Sequence, residues 1–250
     1  MRLQNSGSTT VQSLSIDIGN THAKLGVFNG KELVYTRKQG NLLVRDLKKL
    51  ASSHPFTHVI LSSTRNLRKS LLDFLDRTYT FIHLDHNTPL PIRNAYASPA
   101  TLGRDRIAAA IGAWSLNKEA SHLVIDIGTC ITYDVVSQST FEGGNIAPGV
   151  HLRIKSMNDY TDKLPLVEFK YQGHLLGKST EEALQNGAVL GTICEIDAFI
   201  HRTHQKYGRI NVTLTGGDGE FFAKQLDSEI FVDPFLVLKG LNEILHYNAA

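Results

Sequence analysis

The chain contains 250 residues, which is long enough for one large α/β domain or for two smaller lobes with separate cores. Hydrophobic residues make up 42% of the chain and charged residues 20%, as in an ordinary globular enzyme. The formal net charge is only +2 and the basic residues form no stripe, so the composition argues against a nucleic-acid partner. Cys130 and Cys194 are far apart and form no CxxC motif, so neither a disulfide framework nor a zinc site is indicated.

The first residues of the chain carry no targeting signal that the sequence reveals. Residues 1–13 are polar and lack the apolar centre of a signal peptide. No apolar run approaches the roughly 18 residues that a membrane-spanning helix requires. We therefore expect a flexible tail at 1–13, a cytoplasmic location and no membrane partner.

Apolar periodicity predicts an α/β fold with two lobes, at 14–117 and 118–250, that share a cleft. The first lobe has predicted strands at about 14–18, 23–28, 32–37, 59–61 and 80–84, and predicted helices at 41–50 and 66–76. A loop at 85–100, rich in proline and asparagine, leads to an alanine-rich helix that ends near Leu116. The second lobe has a predicted hairpin at 122–136, a strand near Phe141, a helix after Pro148, a long helix at 180–207, a strand at 210–214 and helices at 219–226 and 235–247.

Two stretches repeat one pattern about 110 residues apart: Asp17-Ile18-Gly19-Asn20-Thr21 and Asp126-Ile127-Gly128-Thr129-Cys130. In each, an apolar run ends in an Asp, a Gly-containing turn follows, and a second apolar run begins, which is typical of a tight β-hairpin. The repetition predicts an internal duplication, with two half-domains that face each other across one nucleotide.

The residue types in these turns suit phosphate binding. Glycine lets backbone N–H groups approach an anion closely, and Asn or Thr adds side-chain donors. An Asp at the end of the first strand can hold a cation, directly or through water, beside that phosphate. Lys24 lies on the returning strand, where it either reaches a terminal phosphate or is simply an exposed strand lysine.

The segment Gly103-Arg104-Asp105-Arg106 places two cations around one carboxylate at the start of a helix. One interpretation is structural, with Asp105 favoured by the helix dipole and the arginines solvated. The other makes Asp105 a base that accepts a hydroxyl proton while an arginine holds an anionic substrate group. Beside a pair of phosphate-binding hairpins we favour the second interpretation.

Several other motifs have a structural explanation beside a functional one. Thr215-Gly216-Gly217 follows a strand and fits a turn that passes close to an adenosine, although such turns are common. His83, Asp85 and His86 imitate metal ligands, but no further ligand cluster accompanies them, so we expect solvated or hydrogen-bonded histidines.

The motifs together resemble those of the type III pantothenate kinases, in order and over nearly the whole chain from Leu14. The hairpins alone are similar to the wider superfamily of actin, heat-shock chaperones and sugar kinases, and the Gly-x-Asp-Arg motif narrows the resemblance. The matching segments are Asp17–Thr21, Leu102–Arg106, Asp126–Thr129, Gly143–Gly149, Thr161–Pro165, Gly177–Thr180 and Thr215–Gly217.

The resemblance implies a duplicated ribonuclease-H-like fold and ATP-dependent phosphorylation of pantothenate, the opening step of coenzyme A synthesis. It implies Mg²⁺ with K⁺ or NH₄⁺, and a homodimer in which the partner subunit completes the pantothenate pocket. Asp105 corresponds to the catalytic base and Asp126 to the ligand of the monovalent cation. The implied ATP-binding residues are Asp17, Ile18, Gly19, Asn20, Thr21, His22, Ala23, Lys24 and Thr129, and the implied substrate-binding residues are Tyr96, Gly103, Arg104, Asp105, Arg106 and Thr180.

Two other functions stay open at this point. One is a kinase of the same superfamily that acts on a sugar or another small carboxylic acid. The other is a non-catalytic ATP-binding regulator or transcription accessory protein, against which the intact Asp17, Asp105 and Asp126 argue.

Overall fold

The computed structural model describes residues 12–249. Strands β1 to β5 are Gln12–Ile18, Ala23–Asn29, Glu32–Gln39, His58–Ser63 and Thr80–His83, with helices α1 (Val44–Ser53) and α2 (Lys69–Thr78) between them. The short strand β6 (Arg93–Asn94), a 3₁₀ turn at Pro99–Thr101 and helix α3 (Arg104–Leu116) follow. The remaining elements are β7 (Ser121–Ile127), β8 (Cys130–Ser137), β9 (Thr140–Pro148), α4 (Val150–Asp159), α5 (Thr180–Tyr207), β10 (Ile210–Thr215), α6 (Gly219–Ala223), β11 (Ile230–Val232) and α7 (Leu236–Ala249).

The described residues form two compact units. Unit 1 contains 12–93, 97–115 and 236–249, and unit 2 contains 94–96 and 116–235. This division differs from the predicted lobes, 14–117 and 118–250, mainly in that helix α7 belongs to unit 1 and residues 94–96 belong to unit 2. The boundary after α3 also lies two residues earlier, between 115 and 116. The places of α7 and of residues 94–96 depend on tertiary contacts, which a local sequence pattern does not contain.

The sheet of unit 1 has the strand order β3-β2-β1-β4-β5. β1, β2 and β3 run antiparallel, whereas β4 is parallel to β1 and β5 is parallel to β4. Successive side chains of a strand point to opposite faces of a sheet, so β1 presents Leu14, Ile16 and Ile18 to one face. These residues form a buried core with the apolar faces of α1 and α2, which contribute Leu47, Leu50, Leu71 and Leu75.

The sheet of unit 2 repeats this topology. Its order is β11-β10-β7-β8-β9-β6, in which β7, β8 and β9 run antiparallel and β10 and β11 are parallel to β7. The correspondence extends to a register shift on the second strand of each unit, at Val27/Phe28 and at Val135/Val136. Such bulges are specific features of a strand pair, so their recurrence confirms the predicted duplication.

Helix α7 closes the second face of the unit 1 sheet. Asn242 of α7 accepts a hydrogen bond from Ser13 Oγ (2.6 Å) and donates one to the Gly30 carbonyl (2.8 Å). The predicted tail therefore ends earlier than expected, because Gln12 and Ser13 belong to β1 and Ser13 is fully buried. The rest of that tail, residues 1–11, lies outside the described residues.

Helix α1 begins later than the predicted start at residue 41. The helix begins at Val44, and the Asp46 carboxylate accepts a hydrogen bond from the Leu43 backbone N–H (3.0 Å). A first-turn carboxylate that binds the backbone amide before the helix stabilises the same end that a capping side chain would. No helix within residues 12–249 combines the length and apolar character needed to cross a bilayer.

Candidate active site

The first predicted hairpin is present in unit 1. Ile18 pairs with Ala23 and Asp17 with Lys24, so the turn consists of Gly19, Asn20, Thr21 and His22. The Gly19 N–H donates to the His22 carbonyl (3.0 Å), which closes the turn, while Asn20, Thr21 and His22 are exposed. The exposed turn follows a strand that is buried from Ser13 to Ile18.

Asp17 lies at the carboxyl end of β1 and is 9% exposed. Lys24 is its antiparallel partner, and paired residues of neighbouring strands have side chains on the same face. Lys24 is half-buried.

Ser62 is a residue that the sequence analysis did not select. It is the parallel partner of Asp17 on β4 and is fully buried. Its Oγ has no hydrogen-bond partner within residues 12–249. Buried hydroxyls are normally satisfied, so this oxygen beside Asp17 suits a site that holds a hydrated cation or another polar ligand.

The second hairpin, in unit 2, is one residue shorter. Ile127 pairs with Ile131 and Asp126 with Thr132, and the Gly128 N–H donates to the Cys130 carbonyl (3.0 Å). Thr129 and Cys130 are exposed in the turn.

The start of α4 packs directly on this second turn. The Gly149 N–H donates to the Thr129 carbonyl (3.0 Å). A Cβ atom at Gly149 would overlap the Gly128 carbonyl oxygen and would lie 2.8 Å from the Thr129 carbonyl oxygen. Only glycine therefore allows the backbone before α4 to approach the turn so closely.

The turn after β10 reaches the same edge of the sheet. Gly216 has a φ of +93°, and a Cβ atom there would collide with the Ile127 backbone and with Asp126 Oδ1. The Asp218 N–H donates to the Ile127 carbonyl (3.0 Å). The ends of β7 and β10 thus bring together Asp126, the Gly128–Thr129 turn and the Gly216–Asp218 turn.

Asp218 is a second polar residue that the sequence analysis did not assign a role. Burial raises the pKa of its carboxyl group, and the nearby His151 partly opposes that rise. His151 lies in the first turn of α4, two residues after Gly149. In the sequence, the only sign of a role for Asp218 is that it directly follows Thr215-Gly216-Gly217.

The predicted acceptor motif lies at the start of α3 in unit 1. Asp105 is half-buried, and its Oδ1 accepts a hydrogen bond from the Arg106 N–H (2.9 Å). A Cβ atom at Gly103 would stand 2.6 Å from Asp105 Oδ1, so glycine leaves the space that this carboxylate occupies.

The two arginines of this motif have different environments. The Arg104 guanidinium donates to the carbonyl groups of Leu102 (2.8 Å), Pro99 (3.3 Å) and Ala100 (3.3 Å). It therefore holds the 3₁₀ turn that precedes α3. Arg106 is only 6% exposed.

Tyr96 lies in the loop after β6, and Thr180 lies at the start of α5. The centroid of the Tyr96 ring lies 6.1 Å from that of the Phe141 ring. The Tyr96 ring also lies beside Gly143, whose φ is +118°, and a Cβ atom at Gly143 would be 3.7 Å from the ring. Thr180 is exposed in the first turn of α5, where Ser179 caps the helix by accepting the Glu182 N–H (3.2 Å). The structure thus groups Asp126 and Thr129 in unit 2 and residues 17–24 in unit 1. Asp105, Tyr96 and Thr180 lie at the start of α3, in a loop and at the start of α5.

The strand ends that carry Asp17 and Asp126 suit hard cations that keep part of their water shell. Within residues 12–249, no three His, Cys, Asp or Glu side chains lie close enough together to hold a metal ion. Asp17 and Asp126 each provide one carboxylate at a strand end, and Mg²⁺ is commonly held by one or two carboxylates, water and substrate phosphates. The residues therefore suit a cation that binds together with a nucleotide.

Comparisons with known proteins identify the family. Residues 13–202 match the family model described as type III pantothenate kinase. The chain is 42% identical over 238 residues to the type III pantothenate kinase of Phocaeicola vulgatus, covering 94% of this chain and 98% of the relative.

Solved structures with low sequence identity share the fold. A Campylobacter jejuni protein described as a Baf family transcriptional activator aligns with a TM-score of 0.61 at 23% identity, covering 94% of this chain and 98% of its own. The ROK hexokinase of Thermus thermophilus aligns with a TM-score of 0.53 at 13% identity, covering 96% and 100%. These structures share the fold of this chain. The family model and the relative show that this chain belongs to the type III pantothenate kinase family.

Proposed function

We propose that the protein transfers the terminal phosphoryl group of ATP to pantothenate, which gives 4'-phosphopantothenate in the first step of coenzyme A synthesis. The observation that carries this proposal is membership of the type III pantothenate kinase family along nearly the entire chain. The two equivalent Asp-Gly hairpins support it, because each presents a strand-end carboxylate beside an exposed glycine turn.

ATP is assigned to the residues predicted for it. Backbone N–H groups and side chains of residues 17–24 would bind phosphate oxygens from unit 1, and Thr129 would do so from unit 2. The support is that Asn20, Thr21, His22 and Thr129 are exposed in turns whose ends are held by buried strands. In phosphoryl transfer the negative charge is spread over the phosphoryl oxygens, so positioned donors contribute much of the catalysis.

Two cations are assigned to the two strand-end carboxylates. Asp17, with the buried Ser62 hydroxyl beside it, would hold Mg²⁺ through water, and Asp126 would bind K⁺ or NH₄⁺. When bound, these ions supply positive charge that neutralises the phosphates. The residues themselves orient the water molecules and fix where that charge lies.

Asp105 is assigned as the base that accepts the proton of the pantothenate primary hydroxyl. Its Oδ1 already accepts the Arg106 N–H, so Oδ2 is the oxygen that would receive the proton. Arg104, Arg106, Gly103, Tyr96 and Thr180 would surround the rest of the substrate. Because Arg104 already donates to three carbonyl groups, its contact with the substrate carboxylate would use its remaining N–H groups.

The active form is proposed to be a homodimer in the cytoplasm. Six large apolar side chains between 146 and 176 are exposed, which is the kind of surface that protein interfaces cover: Ile146, Leu152, Tyr160, Leu166, Leu175 and Leu176. Thr180, assigned to substrate binding, follows this segment directly. Cys130 and Cys194 are both exposed free thiols, as is usual in a reducing compartment.

A coupled ADP-release assay tests the reaction, with pantothenate, other small carboxylic acids and sugars as acceptors. We expect ADP only when pantothenate is present. Turnover with a sugar instead would favour another kinase of the superfamily, and ATP binding without transfer to any acceptor would favour a regulator. Light scattering of the purified chain tests the dimer, and a monomer at assay concentration would contradict it.

A further inference from the structure

Three side chains from three elements of unit 2 form a hydrogen-bonded network outside the predicted site. Tyr133 of β8 donates its hydroxyl to Glu195 Oε1 of α5 (2.7 Å). Arg153 of α4 donates from Nη2 to Glu195 Oε2 (2.5 Å). Both carboxylate oxygens of Glu195 are therefore bound within this network.

The network is partly buried, so its ion pair is screened less by salt than a fully exposed pair would be. The side chains of Arg153 and Glu195 are 20% and 34% exposed, and Tyr133 is 1% exposed. Burial and the hydrogen bond to Glu195 raise the pKa of the Tyr133 hydroxyl, so this phenol keeps its proton and remains a donor. The Tyr133 ring also stacks on Phe199 of α5 at a centroid distance of 4.3 Å.

Arg153 connects this network to the Gly128–Thr129 turn of the second hairpin. Its Nε donates to the Pro148 carbonyl (2.7 Å), while its backbone N–H donates to the Gly149 carbonyl (2.9 Å). Pro148 is paired with Cys130 across the strands, and the backbone of Gly149 packs on Gly128 and Thr129. A single guanidinium thus joins Glu195 to the backbone that forms one wall of the turn.

We propose that Glu195 is a positioning residue for the nucleotide. Through Arg153, it fixes the Pro148–Gly149 backbone against the Gly128–Thr129 turn, which keeps the turn in the geometry that binds phosphate. This role rests on the proposed function, because it requires that the turn bind ATP. It assigns no substrate contact to Glu195 itself.

The substitution Glu195→Gln tests the proposal with little change of shape. The amide oxygen still accepts the Tyr133 hydroxyl, but the charge that holds Arg153 is lost. We expect the KM for ATP to rise about 10- to 100-fold while the KM for pantothenate stays unchanged, since misplaced binding groups carry penalties of this order. Arg153→Lys gives the same result, because one ammonium group cannot replace the two directed contacts of the guanidinium.

The control is Asp159→Asn. It removes an ion pair with Lys155 (2.6 Å) on the same helix α4, and both side chains of that pair are exposed. Exposed pairs of this kind contribute little, so both KM values should equal those of the wild type. Thermal unfolding of each variant shows whether it is folded. If Glu195→Gln does not fold, the KM of Arg153→Lys for ATP tests the proposal instead.

Two results would overturn the proposal. One is a folded variant with an unchanged KM for ATP. The other is an equal rise in both KM values that follows the loss of thermal stability, which indicates a structural role only. Calorimetric binding of ATP by wild type and variant separates this test from the proposed function, because it reports on the turn even if wild type phosphorylates nothing.

Discussion

Glycines at single positions determine where the carboxylates of the candidate site can lie. Gly103 leaves the space that Asp105 Oδ1 occupies, and Gly216 allows a turn to approach Asp126. Both glycines belong to motifs that are visible in the sequence. The sequence could not indicate which neighbouring atoms occupy the space that a side chain would take there. The buried Ser62 hydroxyl escaped prediction for a similar reason, because only strand pairing places it beside Asp17.

The first prediction concerns the proposed base. Asp105→Asn keeps the shape of the side chain and an oxygen that accepts the Arg106 N–H, but removes the basic carboxylate. We expect kcat to fall about 10²- to 10⁴-fold, the usual contribution of general base catalysis, with ATP binding retained. Steady-state kinetics and calorimetry measure both. Asp76→Asn, at an exposed position of α2, is the matched control, and near-native turnover of Asp105→Asn would contradict the assignment.

The second prediction concerns the pH dependence of stability at Asp218. Burial raises the pKa of this carboxyl in the folded state, so the folded protein binds a proton there more readily than the unfolded chain does. The resulting destabilisation is absent below the unfolded pKa, grows as pH rises through the folded pKa and is complete above it. Asp218→Asn should therefore raise the melting temperature at neutral pH and lose this advantage in acid. Thermal scans across pH measure it, and a lower melting temperature at neutral pH would contradict the sign.

At the scale of elements, α3 and α7 approach each other closely at two glycines within unit 1. A Cβ atom at Gly240 of α7 would overlap the Ala108 carbonyl of α3, and one at Gly112 of α3 would overlap the Leu236 carbonyl. Helix α3 is buried from Arg106 to Trp114, which explains why it shows no single apolar face in the sequence. This backbone contact is what places the last helix in unit 1.

The third prediction follows from that contact. Gly240→Ala should lower the free energy of unfolding by about 1–3 kcal/mol, the usual effect of overpacking, because neither backbone can move aside easily. Gly191→Ala in α5 is the matched control, since no described atom beyond its chain neighbours and the adjacent backbone of α5 lies within 4 Å of the added methyl group. The control should stabilise the protein by about 0.4–1 kcal/mol, because alanine favours the helix. Denaturant unfolding measures both, and equal effects of the two substitutions would contradict the packing account.

The elements were predictable to different degrees. Both hairpins have a strong local signal, an apolar run that is interrupted by Asp-Ile-Gly, and the structure confirms both. The long helix α5 also has a local signal, because Ser179 caps it just before Thr180, and the structure confirms this helix. Helix α7 was predicted as a helix, but its place in unit 1 depends on Gly112 and on the hydrogen bond between Ser13 and Asn242. Contacts between residues 229 positions apart leave no trace in local patterns.

For the whole molecule, the duplicated topology places two carboxylates at equivalent strand ends, Asp17 on β1 and Asp126 on β7. The fourth prediction is that turnover depends on K⁺ or NH₄⁺ because Asp126 binds that ion. Rates should fall strongly when Na⁺ replaces K⁺ at constant ionic strength, and Asp126→Asn should lose the difference between the two salts. Equal wild-type rates in K⁺ and Na⁺ would contradict the role of Asp126.

Family membership indicates the reaction. We propose that the two turns bind the phosphates and that one carboxylate, Asp105, accepts the proton of the acceptor hydroxyl. The most direct test is ADP release by the purified 250-residue chain in K⁺ and Mg²⁺, with and without pantothenate. The account predicts ADP in step with phosphorylated pantothenate, and background hydrolysis alone when pantothenate is omitted. ADP formation at the same rate without the acceptor, or none with it, would contradict the central claim.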